Sequence, residues 1–188
     1  EGKPVRIESP QDAIRAGLAL VPEDRKQQGV ILEMAVSQNI TLASLRRDAR
    51  LGFRNPKLEA TTAERMSAQL RVKTPSLAQF VQFLSGGNQQ KVALAKWLAL
   101  EPRALLLDEP TRGIDIGAKQ EIYRLMEELA GRGVAILFVS SEMEEVLRMS
   151  DRALVMHEGR ITGELSREQL SEEAIMRLAT AHTISAVS

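Results

Sequence analysis

Two groups of residues have types and spacing that could do chemistry on a phosphate. Asp108 and Glu109 follow the apolar run Ala104-Leu105-Leu106-Leu107, so two carboxylates stand where a buried strand emerges. Open α/β proteins place their ligands at that carboxyl edge. In a nucleotide-hydrolysing site a first acid helps hold hydrated Mg²⁺ and a second polarises the attacking water. The same pair also suits a strand end closed by exposed acids. The other group is Leu84-Ser85-Gly86-Gly87-Asn88-Gln89-Gln90-Lys91. Adjacent glycines directly before a helix free the backbone to approach a ligand with its amides. The helix start adds partial positive charge, which favours phosphate, and the Ser85 hydroxyl and Asn88 amide offer further hydrogen bonds. A bare Ser-Gly-Gly also reads as a loop with an N-cap.

Strands and helices must hold these groups in place, and the pattern supplies both. Ser9-Pro10-Gln11-Asp12 combines an N-cap, a proline at the first helical position and an acid in the first turn. It predicts a short helix stopping at Gly17. Leu18 to Val21 reads as a buried strand, ended by Pro22 and the charged loop Glu23 to Lys26. From about Met34 to Ala99 the apolar spacing is helical, with breaks at Gly52, Asn55-Pro56 and Thr74-Pro75. The last helix of this stretch, Gln89 to Ala99, is apolar around most of its circumference and should be buried, with Trp97 a core residue.

Ala104 to Leu107 has the continuous apolar character of a central parallel strand covered on both faces. Ile122, Leu125, Met126 and Leu129 recur at helical spacing, with Gly131 as C-cap. Val134 to Val139 reads as a second buried strand. Met143, Val146 and Leu147 mark a further helix, and Ser141-Glu142-Met143-Glu144 has the form of a capping box at its start. Arg152 to Ile161 reads as a hairpin turning at Glu158-Gly159. Strands alternating with helices imply an α/β layer fold.

Composition narrows the function further. Over 188 residues, Lys+Arg 25 balances Asp+Glu 25, which argues against a nucleic-acid partner held by a broad basic face. No Cys is present, which removes disulfides, thiolate zinc sites and Cys nucleophiles together, and His 2 is too few for a histidine metal cluster. No stretch reaches the roughly 20 apolar residues of a spanning helix. The opening Glu1-Gly2-Lys3-Pro4 lacks a signal peptide's sequence of regions and an initiating Met, so the chain reads as a piece of a longer one.

With the glycine corner and the strand-end acids taken in order, the sequence resembles the ATP-binding domain of ABC transporters. LSGGNQQK is similar to that family's signature, LLLDEP to its Walker B motif, and Gly113-Ile114-Asp115 to its D-loop. The wording is closer still to the second domain of the fused ATP-binding proteins of ribose-type monosaccharide importers. It includes Val21 to Lys26, the Asn in LSGGN, Asp108 to Gly113, Val139-Ser140-Ser141-Glu142-Met143 and Val155 to Gly159. The resemblance covers about Val5 to Arg177. It implies a P-loop NTPase-like (RecA-like) parallel-sheet α/β core, incomplete at its N-terminus, over 1–33 and 100–180. A helical subdomain carrying the signature is implied over 34–99, and a tail over 181–188.

The resemblance also implies the roles. Domains of this family pair head to tail, so Ser85, Gly86, Gly87 and Asn88 would contact ATP held by a second ABC domain, fused or dimeric. Asp108 would hold Mg²⁺ through water, Glu109 would be the catalytic acid of this half's own site, and Asp115 would be the D-loop residue. Glu23 stands at the usual position of the Q-loop glutamine, and Ser141 at that of the switch histidine. Neither His157, in the hairpin, nor His182, in the tail, can replace that histidine. The phosphate loop Gly-x-x-x-x-Gly-Lys-Ser/Thr does not occur, and in the family it lies upstream of the residue equivalent to Glu1. The isolated chain is therefore expected to bind ATP weakly or not at all. The implied function is the ATP-hydrolysing part of a monosaccharide importer at the cytoplasmic face of the inner membrane, working with permease subunits and, indirectly, a periplasmic sugar-binding protein. The alternatives are an inactive scaffolding half-domain and a soluble ABC ATPase outside transport.

Overall fold

A computed structural model describes residues 4–180. The chain divides into two compact units, Glu1–Val139 and Ser140–Ser188.

The first unit is built on a parallel sheet of three strands in the order β1 (Leu18–Val21), β2 (Ala104–Asp108), β3 (Ala135–Val139). Register runs Leu20 to Leu106 to Leu137 and Val21 to Leu107 to Phe138, which makes β2 the central strand, as its apolar run predicts. Helix α1 (Pro10–Arg15) leads in. Ser9 accepts the Asp12 amide as its N-cap, and Gly17 takes the left-handed φ of 84° that ends it. Between β1 and β2 lie a π-helical turn (Arg25–Gly29), α2 (Val36–Thr41), α3 (Leu45–Asp48), α4 (Pro56–Gln69) and α5 (Gly86–Leu98). Helix α4 starts at Pro56 with Asn55 as its cap, as the Asn-Pro break predicts. Helix α6 (Ile116–Gly131) joins β2 to β3.

Helices α5 and α6 touch each other and pack on β1 and β3, covering the sheet face that carries Ala19, Val21, Leu105 and Leu107. Helix α5 is buried over nearly its whole length, and Trp97 is half-buried beside the ammonium of Lys96. The expectation of strands covered on both faces is corrected for the described residues. Leu20, Leu137 and Val139 are more than half exposed on the opposite face, and Leu106 is half-buried between them. Among the described residues the helices lie on one face of the sheet. The α6 terminus is corrected as well. Gly131 is the last helical residue, and Gly133, at φ 87°, is the left-handed one. Its amide bonds the Ala130 carbonyl while that of Val134 bonds Leu129, the paired bonds of a Schellman ending.

The second unit consists of α7 (Met143–Met149), an antiparallel hairpin of β4 (Arg152–His157) and β5 (Arg160–Ser166), and α8 (Glu172–Ala179). Glu158 and Gly159 both take positive φ, the conformation of a two-residue turn that matches strand twist, and so bear out the expected turn. Val155, Leu165 and Ile175 form the core, with Val146, Leu147 and Leu178 packed on it. Arg167 closes the end of α7 by donating to the carbonyls of Leu147 and Ser150. Residues 181–188, including His182 and the expected tail, lie outside the described residues.

Candidate nucleotide-contacting site

At the end of β2, Asp108 lies on the uncovered face of the sheet, in register with Val139. Glu109 then takes φ 45°, a conformation that favours glycine and costs a residue with a side chain about 1 kcal/mol or more. Two backbone bonds hold it there. Its amide donates to the Val139 carbonyl (2.9 Å), and its carbonyl accepts the Arg112 amide (3.1 Å). The chain thus turns sharply after the strand and delivers Asp115 to the start of α6, where its Oδ1 accepts the Ala118 amide at 2.9 Å.

The glycine corner is built differently. Ser85 caps α5, accepting from the Asn88 side-chain amide at 2.9 Å and, at 3.5 Å, from the Asn88 backbone. Asn88 Oδ1 accepts the Lys73 amide at 2.8 Å, so both ends of this side chain are bound within the chain. The first backbone bond of the helix runs from Gln89 to Ser85, and the amides of Gly86 and Gly87 precede it at the electropositive helix start. Each glycine also has a packing reason. A Cβ at 86 would lie 2.8 Å from Arg25 Nη2, and one at 87 would lie 2.5 Å from the Ala118 Cβ at the start of α6.

The glycine corner and the segment after Glu109 are therefore neighbours inside one unit. Arg25 joins them by donating to the carbonyls of Arg112 (2.9 Å) and Gly113 (3.3 Å). In return the Arg112 guanidinium pairs with the exposed carboxylate of Glu23. Asp24 fixes the intervening turn by accepting the amides of Lys26 and Gln27. Further along α5, buried Lys96 donates to the Gly29 carbonyl, and burial holds its ammonium below the ordinary lysine pKa. Buried Lys91 pairs with Glu121 of α6 and also donates to the Arg71 carbonyl. The hydrogen bond from Lys91 holds the Glu121 carboxyl below the usual glutamate range. Arg25, Lys91 and Lys96 were missed in sequence because their partners are backbone carbonyls or a distant helix. Arg25 and Lys91 are charged residues inside the motif wording, which is their one available signal, and Lys96 lies outside it.

Ser141 belongs to the second unit. The capping box expected from Ser141 to Glu144 is not what starts α7, because Glu142 is the N-cap and makes no side-chain cap bond. The preceding serine does the work. Ser140 Oγ accepts the Glu142 amide (3.0 Å) and donates to buried Glu145 (2.6 Å). Of two consecutive serines, the first has the reach. His157 ends β4 opposite Arg160.

Among the described residues no group of three or more His, Asp or Glu could hold a metal ion. Asp108 alone suits a Mg²⁺ that keeps its waters and takes most other ligands from phosphate oxygens. Among the same residues no helix is long and apolar enough to cross a membrane.

The family model described as ABC transporter matches residues 2–112. The chain is 54% identical over 182 residues to an arabinose import ATP-binding protein of Burkholderia thailandensis, covering 95% of this chain and 36% of that protein. It is 54% identical over 180 residues to a xylose import ATP-binding protein of Moorella thermoacetica, covering 96% and 36%. To a ribose import ATP-binding protein of Rubrobacter xylanophilus it is 53% identical over 180 residues, again covering 96% and 36%. The chain thus spans about a third of the length of the curated relatives it matches. Among solved structures, an ATP-binding cassette of an ABC transporter superposes with a TM-score of 0.74 at 22% identity, covering 91% of this chain and 71% of that one. A dimeric cassette in a post-hydrolysis state, bound to ADP and Pi, gives 0.72 at 21%, covering 86% and 68%. At those identities the likeness concerns the fold, which is that of an ABC ATPase cassette. With a family model matched over more than half of its residues, the chain belongs to the ABC transporter family.

Proposed function

We propose that this chain is part of the ATP-hydrolysing component of a monosaccharide importer, and that its glycine corner completes an ATP site on a second ABC domain. The observation that carries the reading is the start of α5. Two glycine amides stand at an electropositive helix end beside the Ser85 hydroxyl, an arrangement suited to an anionic phosphate tail. The names of the sugar-importing relatives supply the substrate class. Ser85, Gly86, Gly87 and Asn88 contact the partner's nucleotide, Glu109 polarises the attacking water in this half's own site, and Asp108 holds Mg²⁺ through water. Bound magnesium would neutralise charge on the β- and γ-phosphates. Asp115 lies at the domain pair's seam, Glu23 at the position facing the permease, and Ser141 where a γ-phosphate contact would be made. Residues 34–99 form the helical subdomain that docks on permease subunits at the cytoplasmic membrane face, with a periplasmic sugar-binding protein delivering substrate from the other side.

The test uses the full-length gene product with its permease. Because the corner would contact the partner's nucleotide directly, whereas Ser141 lacks the imidazole that a switch histidine would supply, Ser85→Arg should cut ATP turnover about a hundredfold, the size of one lost transition-state contact, while Ser141→Ala should leave most of it. Equal losses would refute the division of labour.

A further inference from the structure

We infer that Arg25 is a positioning residue that locks the glycine corner to the segment after Glu109, so that the two phosphate-facing parts of the domain move as one body. The inference rests on the proposed role of those two segments in nucleotide contact, and it assigns a function to a residue which that reading leaves unused.

Four observations bear on the loop that carries Arg25, two of them on its guanidinium. Its Nη1 and Nη2 donate to the carbonyls of Arg112 and Gly113, 87 and 88 residues away in sequence. The position a Cβ would take on Gly86 is 2.8 Å from Nη2 and 3.5 Å from the Gly113 carbonyl, so the arginine fills the gap between corner and turn. A Cβ at 86 would displace the end of the Arg25 side chain and, with it, the bonds to the Arg112 and Gly113 carbonyls. The base of the side chain is fixed too. Its residue begins the π turn that Lys96 of α5 holds through the Gly29 carbonyl, and Gly29 leaves only 3.2 Å between a Cβ of its own and that of Arg25. Finally, Glu23 two residues before Arg25 pairs with the side chain of Arg112, whose carbonyl Arg25 holds, so the two loops are cross-tied in both directions.

A rigid, planar fork suits this task where a lysine does not, because two carbonyls on successive residues need two donors in fixed geometry. Loss of the fork leaves both carbonyls with water and frees the corner from the turn. In an assembly where the corner touches one nucleotide and Glu109 acts on another, this tie keeps the two sites in register.

The test compares wild type, Arg25→Met and Arg25→Lys in the full-length gene product, by amide hydrogen exchange and by steady-state ATPase kinetics. In Arg25→Met, exchange should accelerate about tenfold at the hydrogen-bonded amides of both segments, Asn88 and Gln89 at the corner and Arg112 and Ala118 after the turn, the size expected from losing charge-assisted hydrogen bonds. The α4 and β2 amides should keep their wild-type rates. Arg25→Lys should fall between the two, since one ammonium reaches one carbonyl. The kinetics should show kcat reduced about tenfold with KM for ATP changed less than about threefold, the pattern of a group that positions rather than binds. Acceleration at only one segment, or uniformly over the unit, would overturn the inference, as would an unchanged kcat in Arg25→Met against an active wild type. A wild-type protein without ATPase activity would instead remove the functional reading, and the exchange data would decide the role of Arg25 alone.

Discussion

The glycine corner at the start of α5 and the acidic turn after β2 are adjacent, yet they are held in shape by opposite means. The corner is fixed by close packing: Gly87 lies against Ala118, Gly86 against Arg25, and Ser85 and Asn88 bond each other. The turn is fixed by backbone bonds that keep Glu109 at a φ of 45°. A packed corner has no room to relax, so its geometry survives only with the smallest residues. A strained turn holds energy in one dihedral, and the right residue can release it. Substitutions should therefore hurt the corner by adding atoms and should relieve the turn by removing them.

The largest effect is expected at the corner. Gly87→Ala should gain helix propensity of about 1 kcal/mol, yet the net outcome should be a loss of about 2 to 3 kcal/mol, because α5 and α6 must part to admit the methyl group. Urea unfolding of the full-length gene product would read the change. The double variant Gly87→Ala with Ala118→Gly should recover most of it, since the two Cβ positions are 2.5 Å apart. A stabilised single variant, or a double variant no better than the single, would show that packing does not set the corner.

How much of this contrast was legible in the sequence depends on the range of the interactions. The strand order about β2, the Ser9 helix start, the helix boundary at Asn55-Pro56 and the Glu158-Gly159 turn are encoded in a few consecutive residues, and the structure places them as the spacing predicts, whereas the two glycines expected before the helix of the corner are its first two residues. Three further readings were off for physical reasons. The apolar strands have the character of two covered faces, and among the described residues only one face receives a layer, which leaves Leu137 and Val139 exposed. Between Gly131 and Gly133, and between Ser140 and Ser141, residue type was right and register was off by one or two positions, which only the closing hydrogen bonds decide. The tie made by Arg25 left no pattern, because its partners are carbonyls, which every residue carries.

A second, smaller effect concerns the clamp behind the corner. Lys91 is nearly fully buried while its partner Glu121 is about a third exposed. Removing the carboxylate leaves an ammonium in the interior with the Arg71 carbonyl as its remaining named partner, whereas removing the lysine leaves a carboxylate that water can reach. Glu121→Gln should therefore cost about 2 kcal/mol and Lys91→Met less. Acid should reproduce the first change. The folded-state pKa of Glu121 is depressed by the hydrogen bond from Lys91, so its contribution is present above the unfolded glutamate value and is lost as pH falls through the folded value. Unfolding midpoints followed downward from about pH 7 through the carboxylate range should fall less steeply in Lys91→Met than in wild type. Parallel profiles would show that the pair does not anchor α5 to α6.

The smallest effect tests the turn, and its sign matters more than its size. Comparing wild-type Glu109 with any variant would mix loss of the side chain's own interactions with relief of the backbone. Comparing Glu109→Gly with Glu109→Ala does not, since both delete the carboxylate and differ in their tolerance of positive φ. Elsewhere glycine is the more costly of the two, because it loses more freedom on folding. At φ 45° the order should reverse, with the glycine variant about 1 kcal/mol more stable than the alanine variant. Both should lose ATP turnover alike if the carboxylate polarises the attacking water. An alanine variant at least as stable as the glycine variant would mean that the turn is not strained. The acid would then owe its placement to packing, as the glycine corner does, and the contrast between the two regions would disappear.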